Sequence, residues 1–443
     1  MLDRTNANAV FAADDAAKTA LQDEATKATE RSPEKDARAA DVQAQDAPGR
    51  WTRERTWQWY QNNGWLVGSN FLPASAINQL EMWQKDTFDK AEIDKELGWA
   101  EGLGMNTMRV FLHDLPWQED QEGFKKRIDE FLTIADKHHI KPVFVLFDSC
   151  WDPNPKSGKQ RDPVPGVHNS GWMQSPGFKG LTDPAEKQRL EAYVKGVVGA
   201  FGNDPRILMW DVWNEPDNMN DAAYKNQEPK NKIAMVQNLL PEVFKWARAA
   251  NPSQPLSSGV WIGDWSSFGK MNQIQKAQLE NSDVITFHNY GNPQDFEQRA
   301  KQLKQYDRPL ICTEYMARPM SSTFDPILGV AKQNNIGMIN WGFVAGKSQT
   351  YYPWDSWQKP YPQPYKGQWF HDIFRADGTA YSQTEVDYIK RLTKRGVEAG
   401  TVGGYTIPKD LRDIGDSAFR STIDQFSRSW QTQFLTSRPA AFS

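Results

Sequence analysis

Two short segments place a carboxylate just where an apolar run ends: Glu215 in "WDVWNEP" and Glu314 in "LICTEY". Two carboxyls can divide one reaction between them. One protonates a leaving oxygen while the other attacks carbon or activates water, which is the chemistry of glycosidic-bond cleavage. A Glu after a strand elsewhere serves as a helix N-terminal acid that satisfies backbone donors. Trp213, Asn214 and Pro216 around Glu215 favour the chemical reading. Other motifs fit their templates poorly. Gly342 and Gly346, before Lys347-Ser348, are separated by three residues where a phosphate-binding loop has four. Gly102-x-Gly104 precedes a strand, whereas a dinucleotide fingerprint follows one. There is no HExxH and no Cys/His cluster to suggest a catalytic metal, and no cofactor is implied.

The elements that must position these carboxyls repeat in a regular order. Apolar strand candidates lie at 65–70, 107–112, 142–147, 207–213, 256–261, 284–288, 310–314 and 337–341. Helical spacing fills the intervals at 89–103, 122–138, 184–201, 230–250, 271–280, 294–306, 324–334 and 384–394. Near-continuous apolar runs suit parallel strands covered on both faces. Eight strand–helix pairs in unbroken order predict a (β/α)8 TIM barrel. Glu215 then closes strand four and Glu314 strand seven, at the C-terminal strand ends where barrels carry their chemistry.

With those strand numbers, residues 51–395 resemble the clan of retaining (β/α)8 glycoside hydrolases that holds cellulases, mannanases and β-galactosidases. The nearest match is the cellulase-like family of endoglucanases and mannanases. "WNEP" ending strand four carries the resemblance, and "TEY" ending strand seven supports it. The resemblance implies Glu215 as acid/base and Glu314 as nucleophile. It also implies Arg109 as support for the nucleophile and Asn214 as the holder of the substrate 2-hydroxyl. His288 and Tyr290, in "TFHNY", correspond to a pair lining the catalytic centre, and Trp341 to the tryptophan beneath the sugar. Where many relatives carry a histidine near the end of strand three, this chain reads Asp148-Ser149-Cys150-Trp151. The sugar is therefore open, with a β-linked glucan or mannan ahead of a β-galactoside. A transglycosylase with the same carboxylate pair, or a non-catalytic sugar-binding barrel, would share most of these residues.

Composition narrows the rest. The net charge of −4 over 443 residues gives no basic field for nucleic acid. No apolar run is long enough to span a bilayer. Nineteen tryptophans, many beside Gly, Pro, Asn or Asp, suit flat sugar faces as well as a core. Long connections at 148–183 and 342–370, after strands three and eight, are dense in aromatics and argue for function over disorder. Trp151 and His168 in the first, and Trp261 ending strand five, are further candidates for substrate contact. Walls on two sides would turn a cleft into a pocket and favour chain ends. Cys150 and Cys312 read as buried free thiols. Residues 1–50 are poor in large apolar side chains and predict a disordered leader. Residues 396–443 predict a helical or irregular extension packed on the barrel. The first residues lack the apolar core of a signal peptide, which implies the cytoplasm for the chain as given, and secretion or the periplasm if a leader was removed. Oligomeric state is not legible.

Overall fold

The computed structural model describes residues 46–394 and the backbone of two short antiparallel strands, Thr401–Val402 and Tyr405–Thr406. Residues 1–45 of the expected leader and most of the expected extension lie outside the described residues.

All eight expected strands are present: β1 Val67–Phe71, β2 Thr107–Phe111, β3 Lys141–Asp148, β4 Met209–Asn214, β5 Leu256–Ser257, β6 Ile285–His288, β7 Leu310–Glu314 and β8 Gly337–Asn340. They form one parallel sheet in the order β5-β4-β3-β2-β1-β8-β7-β6. The ring closes between β5 and β6 through a bridge at Val260: its N–H donates to the Thr286 carbonyl at 3.1 Å, and its carbonyl accepts from His288 N–H at 3.1 Å. The fifth strand is shorter than its sequence suggests because side chains replace its ladder. Ser257 Oγ lies 2.9 Å from Thr286 Oγ1, and Ser258 Oγ donates to the Trp213 carbonyl at 2.8 Å. The barrel's first pair is drawn tight at Gly68, where a Cβ would lie 1.9 Å from the Thr107 carbonyl oxygen.

Helices begin where a side chain can satisfy the orphan N–H groups of the first turn. Asp89 caps Lys90–Gly102, Asp120 caps Gln121–Lys137, and Asn272 forms a capping box with Gln275 at the head of Gln273–Asn281. The Gln121–Lys137 helix buries Phe124, Ile128, Phe131, Leu132 and Ala135 at helical spacing. Burying each large apolar side chain is worth about 1.5–3 kcal/mol.

The two ends of the barrel differ in chemistry. At the N-terminal end, Leu66, Val143, Leu208, Met209, Val284, Ile311 and Ile339 make an apolar layer, and the Arg53–Asn63 helix caps it with Tyr60, Trp57 and Trp59. At the C-terminal end, the inward groups are polar. Stability therefore sits at one end and chemistry at the other.

One expectation needs correction. Residues 46–50 are docked instead of belonging to a free leader. Ala47 N–H donates to the Glu280 carbonyl (3.1 Å) and Arg50 Nε to the Ser282 carbonyl (2.8 Å). Arg308 meets Asp46 at 3.2 Å, and Trp51 N–H meets Asp283 at 2.7 Å. The cause is polar, not apolar: the carbonyls where the Gln273–Asn281 helix ends lack partners within it, and this segment supplies donors.

Candidate active site

Glu215 follows β4 with φ 42°, in the left-handed region that a non-glycine residue enters at a cost of about 1–3 kcal/mol. The turn leaves its carboxyl almost buried and held on both oxygens. Oε1 lies 2.9 Å from His288 Nδ1, while Oε2 accepts from Asn218 Nδ2 at 2.7 Å and from the Cys150 thiol at 3.1 Å.

Glu314, the last residue of β7, is held by stronger donors. Arg109 Nη1 reaches Oε1 at 3.0 Å, and Tyr290 Oη donates to Oε2 at 2.8 Å. Arg109 comes from the middle of β2 and is fully buried. Its remaining donors go to Asn70 Oδ1 (2.9 Å), Asp211 Oδ2 (3.0 and 2.9 Å) and Asn214 Oδ1 (2.6 Å). That accounts for all five guanidinium N–H groups, so its orientation is fixed.

Single atoms of Glu215, His288 and Glu314 all lie within 4.8 Å of one another. By distance alone the trio could meet a metal ion. Its carboxyl oxygens, however, already accept from Arg109, Tyr290, Asn218 and Cys150, and a permanent cation 3.0 Å from Glu314 would oppose a second one.

Burial raises the pKa of Glu314, and the Glu215 carboxyl adds to the shift, while His288, Arg109 and Tyr290 pull it down. At this separation a charge on Glu215 disfavours the anion on Glu314. The guanidinium and the phenol favour the anion on Glu314. Burial lowers His288 to about 4, so its imidazole is neutral at pH 7. Burial and the facing carboxylates push the Tyr290 phenol and the Cys150 thiol well up, and both remain protonated donors.

Asn214 donates to Asp148 Oδ1 at 2.9 Å and accepts from Arg109, so only its weaker approach to Cys150 Sγ, 3.4 Å, leaves a hydrogen for another partner. Trp341 packs edge-on against Phe111 (5.8 Å) and Trp172 (5.6 Å) beside the pair. Trp261 is held by Asp217 at 2.6 Å. Trp151 (φ 70°) stacks on Trp357 at 5.1 Å. His168 does not face the cleft. It is 1% exposed, its N–H donates to Ser356 Oγ, and its Nδ1 lies 2.9 Å from the Tyr352 carbonyl. It is a strut between loops, because burial among backbone acceptors leaves no edge for a sugar.

The strut belongs to a larger seam. The connections after β3 and β8 join each other: Asn169 N–H donates to Ser348 O (2.9 Å), Tyr361 N–H to Gly166 O (3.0 Å), and Gln349 Nε2 to Val164 O and Val167 O (2.8 Å each). Strands β3 and β8 flank β2 and β1 in the sheet. The loops therefore arch together over that side, as one continuous wall where two separate walls were expected.

Sequence reasoning missed the roles of Asp211, Asn70, Asn218 and Asp148, and the contact that Cys150 makes. Asp211 was findable: a lone acid in β4 and a lone Arg in β2 are each too costly to bury unpaired. Asp148 accepts from Trp172 Nε1 (2.6 Å) as well as Asn214, and burial pushes it up to about 6. Cys150, expected as a buried free thiol, is free and half-buried, and it touches Glu215 because the turn after β3 is tied at Asp148 and Asn220.

The model for "Cellulase (glycosyl hydrolase family 5)" matches residues 165–347, a span holding both "WNEP" and "TEY". The matched stretch, less than half of the chain, is similar to that family of glycoside hydrolases. Several solved structures are similar to this chain. An exo-β-1,4-mannosidase from Opitutaceae bacterium strain TAV5 is 19% identical with a TM-score of 0.49, over 80% of this chain and 62% of that one. The chain thus spans less than two thirds of that enzyme's length. An endo-β-1,4-mannanase from Thermotoga petrophila is 14% identical (TM-score 0.48; 76% and 77% covered), and a family 5 mannosidase from Rhizomucor miehei is 15% identical (TM-score 0.45; 74% and 92% covered). No curated protein sequence matches the chain.

Proposed function

We propose that this protein is a glycoside hydrolase that cleaves β-glycosidic bonds with retention, using Glu314 as nucleophile and Glu215 as acid/base. The Glu314 carboxylate bonds to the anomeric carbon as the bond to the leaving oxygen breaks, and that oxygen takes the proton of Glu215. Water then loses a proton to Glu215 and attacks the same carbon, releasing the sugar and restoring both groups. One observation carries the reading: oxygens of the two carboxyls lie within 4.8 Å, one bound by Arg109 and Tyr290, the other by neutral donors. Retaining pairs sit about 5–5.5 Å apart and inverting pairs about 6.5–9.5 Å apart.

Arg109, Asn214, His288 and Tyr290 orient the pair and the sugar, and Trp341 with Trp261 and Trp151 offers indole surfaces for stacking. The substrate is a β-linked oligo- or polysaccharide, a glucan or mannan first and a β-galactoside second. The joined loops over β1 and β2 support action at chain ends. The test is a screen of aryl β-glycosides and purified polysaccharides with wild type, Glu215→Gln and Glu314→Gln. Each variant should lose on the order of 10²–10⁴-fold in rate while staying folded. Variants within about tenfold of wild type would overturn the assignment. A rapid viscosity fall before small sugars appear would overturn chain-end action.

A further inference from the structure

Beside the carboxylate pair lies a cavity that the mechanism leaves unused. It is narrow, with a volume of about 20 Å³ open to a water-sized group, and its walls include Asn70, Phe111, Trp172, Trp341, Ser348 and Asp372. That is room for about one polar group, such as a hydroxyl reaching in from a sugar ring held outside, and not for a whole ring. Its position along the cleft follows from its neighbours. Asn70 holds Arg109, which holds Glu314, and Trp341 N–H donates to the Tyr315 carbonyl at 3.0 Å. The cavity therefore adjoins the Glu314 half of the site, whereas Cys150 and Asn218 cluster on the Glu215 half. In double displacement, the sugar that bonds to the nucleophile occupies the first half and the leaving group departs along the second.

Asp372 is the charged side chain in that wall, and it is 1% exposed. Both its carboxyl oxygens accept from one group, the Thr350 hydroxyl, at 2.9 Å each. A single hydroxyl hydrogen leaves most of a carboxylate's roughly four acceptor sites unfilled. Among the described residues no cation bonds the carboxyl. Arg318 is committed to Glu385 and to the His371 and Asp372 carbonyls. The backbone is shaped around this carboxyl: Asp372 has φ 64°, and Gly342 leaves space where a Cβ would stand 2.8 Å from Asp372 Oδ1. Burial pushes Asp372 up to about 7, so the group can meet a hydroxyl as acceptor or as donor.

We propose that Asp372 closes the glycone end of the site and hydrogen-bonds a hydroxyl of the terminal, non-reducing sugar. The inference deepens the retaining-glycosidase reading and rests on it. An internal sugar carries a further residue on one of its hydroxyls, and the wall of Trp172, Ser348 and Asp372 leaves that residue no path. Chain ends are thereby selected by a contact as well as by a barrier.

The test takes whichever of the 4-nitrophenyl β-D-mannoside, glucoside or galactoside the wild type cleaves best, with its 3-, 4- and 6-deoxy analogues. For Asp372→Asn and Asp372→Ala, kcat/KM on the parent glycoside should fall about ten- to a hundredfold, the loss of a hydrogen bond to a charged group. On one deoxy analogue the ratio of wild type to variant should collapse to near one, a coupling that a merely structural role would not produce. Equal ratios on every analogue, or no loss at all, overturn the assignment. Ser348→Trp, at the half-exposed part of the wall, gives a second route if the Asp372 variants fold poorly. It should block the aryl glycoside, and unchanged turnover would count against the site. A wild type inactive on all three glycosides and on their β-linked oligosaccharides would overturn the glycosidase reading itself.

Discussion

Replacing Arg109 by Met removes a buried permanent cation from beneath the site and leaves Asp211 and Glu314 without their shared partner. Asp211 is 1% exposed, receives two of the Arg109 bonds on Oδ2, and has no other partner on Oδ1. Breaking a buried pair by removing one partner costs about 3–5 kcal/mol, because the remaining charge is stranded. In a domain of this size that lowers the melting temperature by about 4–7 °C. Adding Asp211→Asn removes the stranded charge at constant shape. The double variant should therefore recover at least about 2 kcal/mol, although Asn70 and Asn214 still lack their donor. Calorimetry of the two singles and the double supplies the cycle. Activity offers a second readout with a defined sign. In the proposed mechanism attack requires ionised Glu314, and losing the cation raises its pKa further, so the acid limb of the pH–rate profile should move to higher pH. Additive losses in the cycle together with an unmoved acid limb would refute the reasoning.

Other consequences follow from particular groups. Burial raises Glu96 to about 9, above the carboxyl value of the unfolded chain, so it destabilises the fold increasingly as pH rises from about 4.5 toward 9. Glu96→Gln should accordingly gain stability relative to wild type as pH rises, by up to about 3 kcal/mol at pH 7, and melting curves across pH 5–8 would show it. Cys150→Ala removes one donor from Glu215 and should cost about two- to tenfold in kcat/KM, while Cys150→Ser restores most of it. Steady-state kinetics on one aryl glycoside decide this. Arg50→Ala should lower stability by about 1–2 kcal/mol through the lost bonds to Ser282 and Asp46, with kcat unchanged, as denaturant titration beside kinetics would reveal.

The barrel was legible because its signals are local and repeated. Apolar runs at strand length, and helices with Asp or Asn before them, specify element type without knowledge of partners. Only β5 fell short, since Ser257 and Ser258 exchange ladder bonds for hydroxyl bonds that depend on Thr286 and Trp213, remote in sequence. Both carboxylates could be located from strand number and flanking residues. Their supporting shell was harder. Asn218 and Cys150 reach Glu215 through turns whose shape is set by long-range bonds, such as Trp151 N–H to Asn220. His168 looked like a sugar contact from composition, yet packing turned it into a strut. Docking of residues 46–50 was invisible to an apolar criterion, because carbonyls where a helix ends do the holding.

Covalent trapping tests the central claim most directly. The 2-deoxy-2-fluoro analogue of the accepted aryl β-glycoside slows both steps, and a good leaving group lets the intermediate accumulate. Intact mass should rise by one fluorosugar per chain, and peptide mapping should place it on Glu314, with no adduct in Glu314→Gln. An adduct on any other residue, or turnover with inverted configuration and no adduct, would contradict the account.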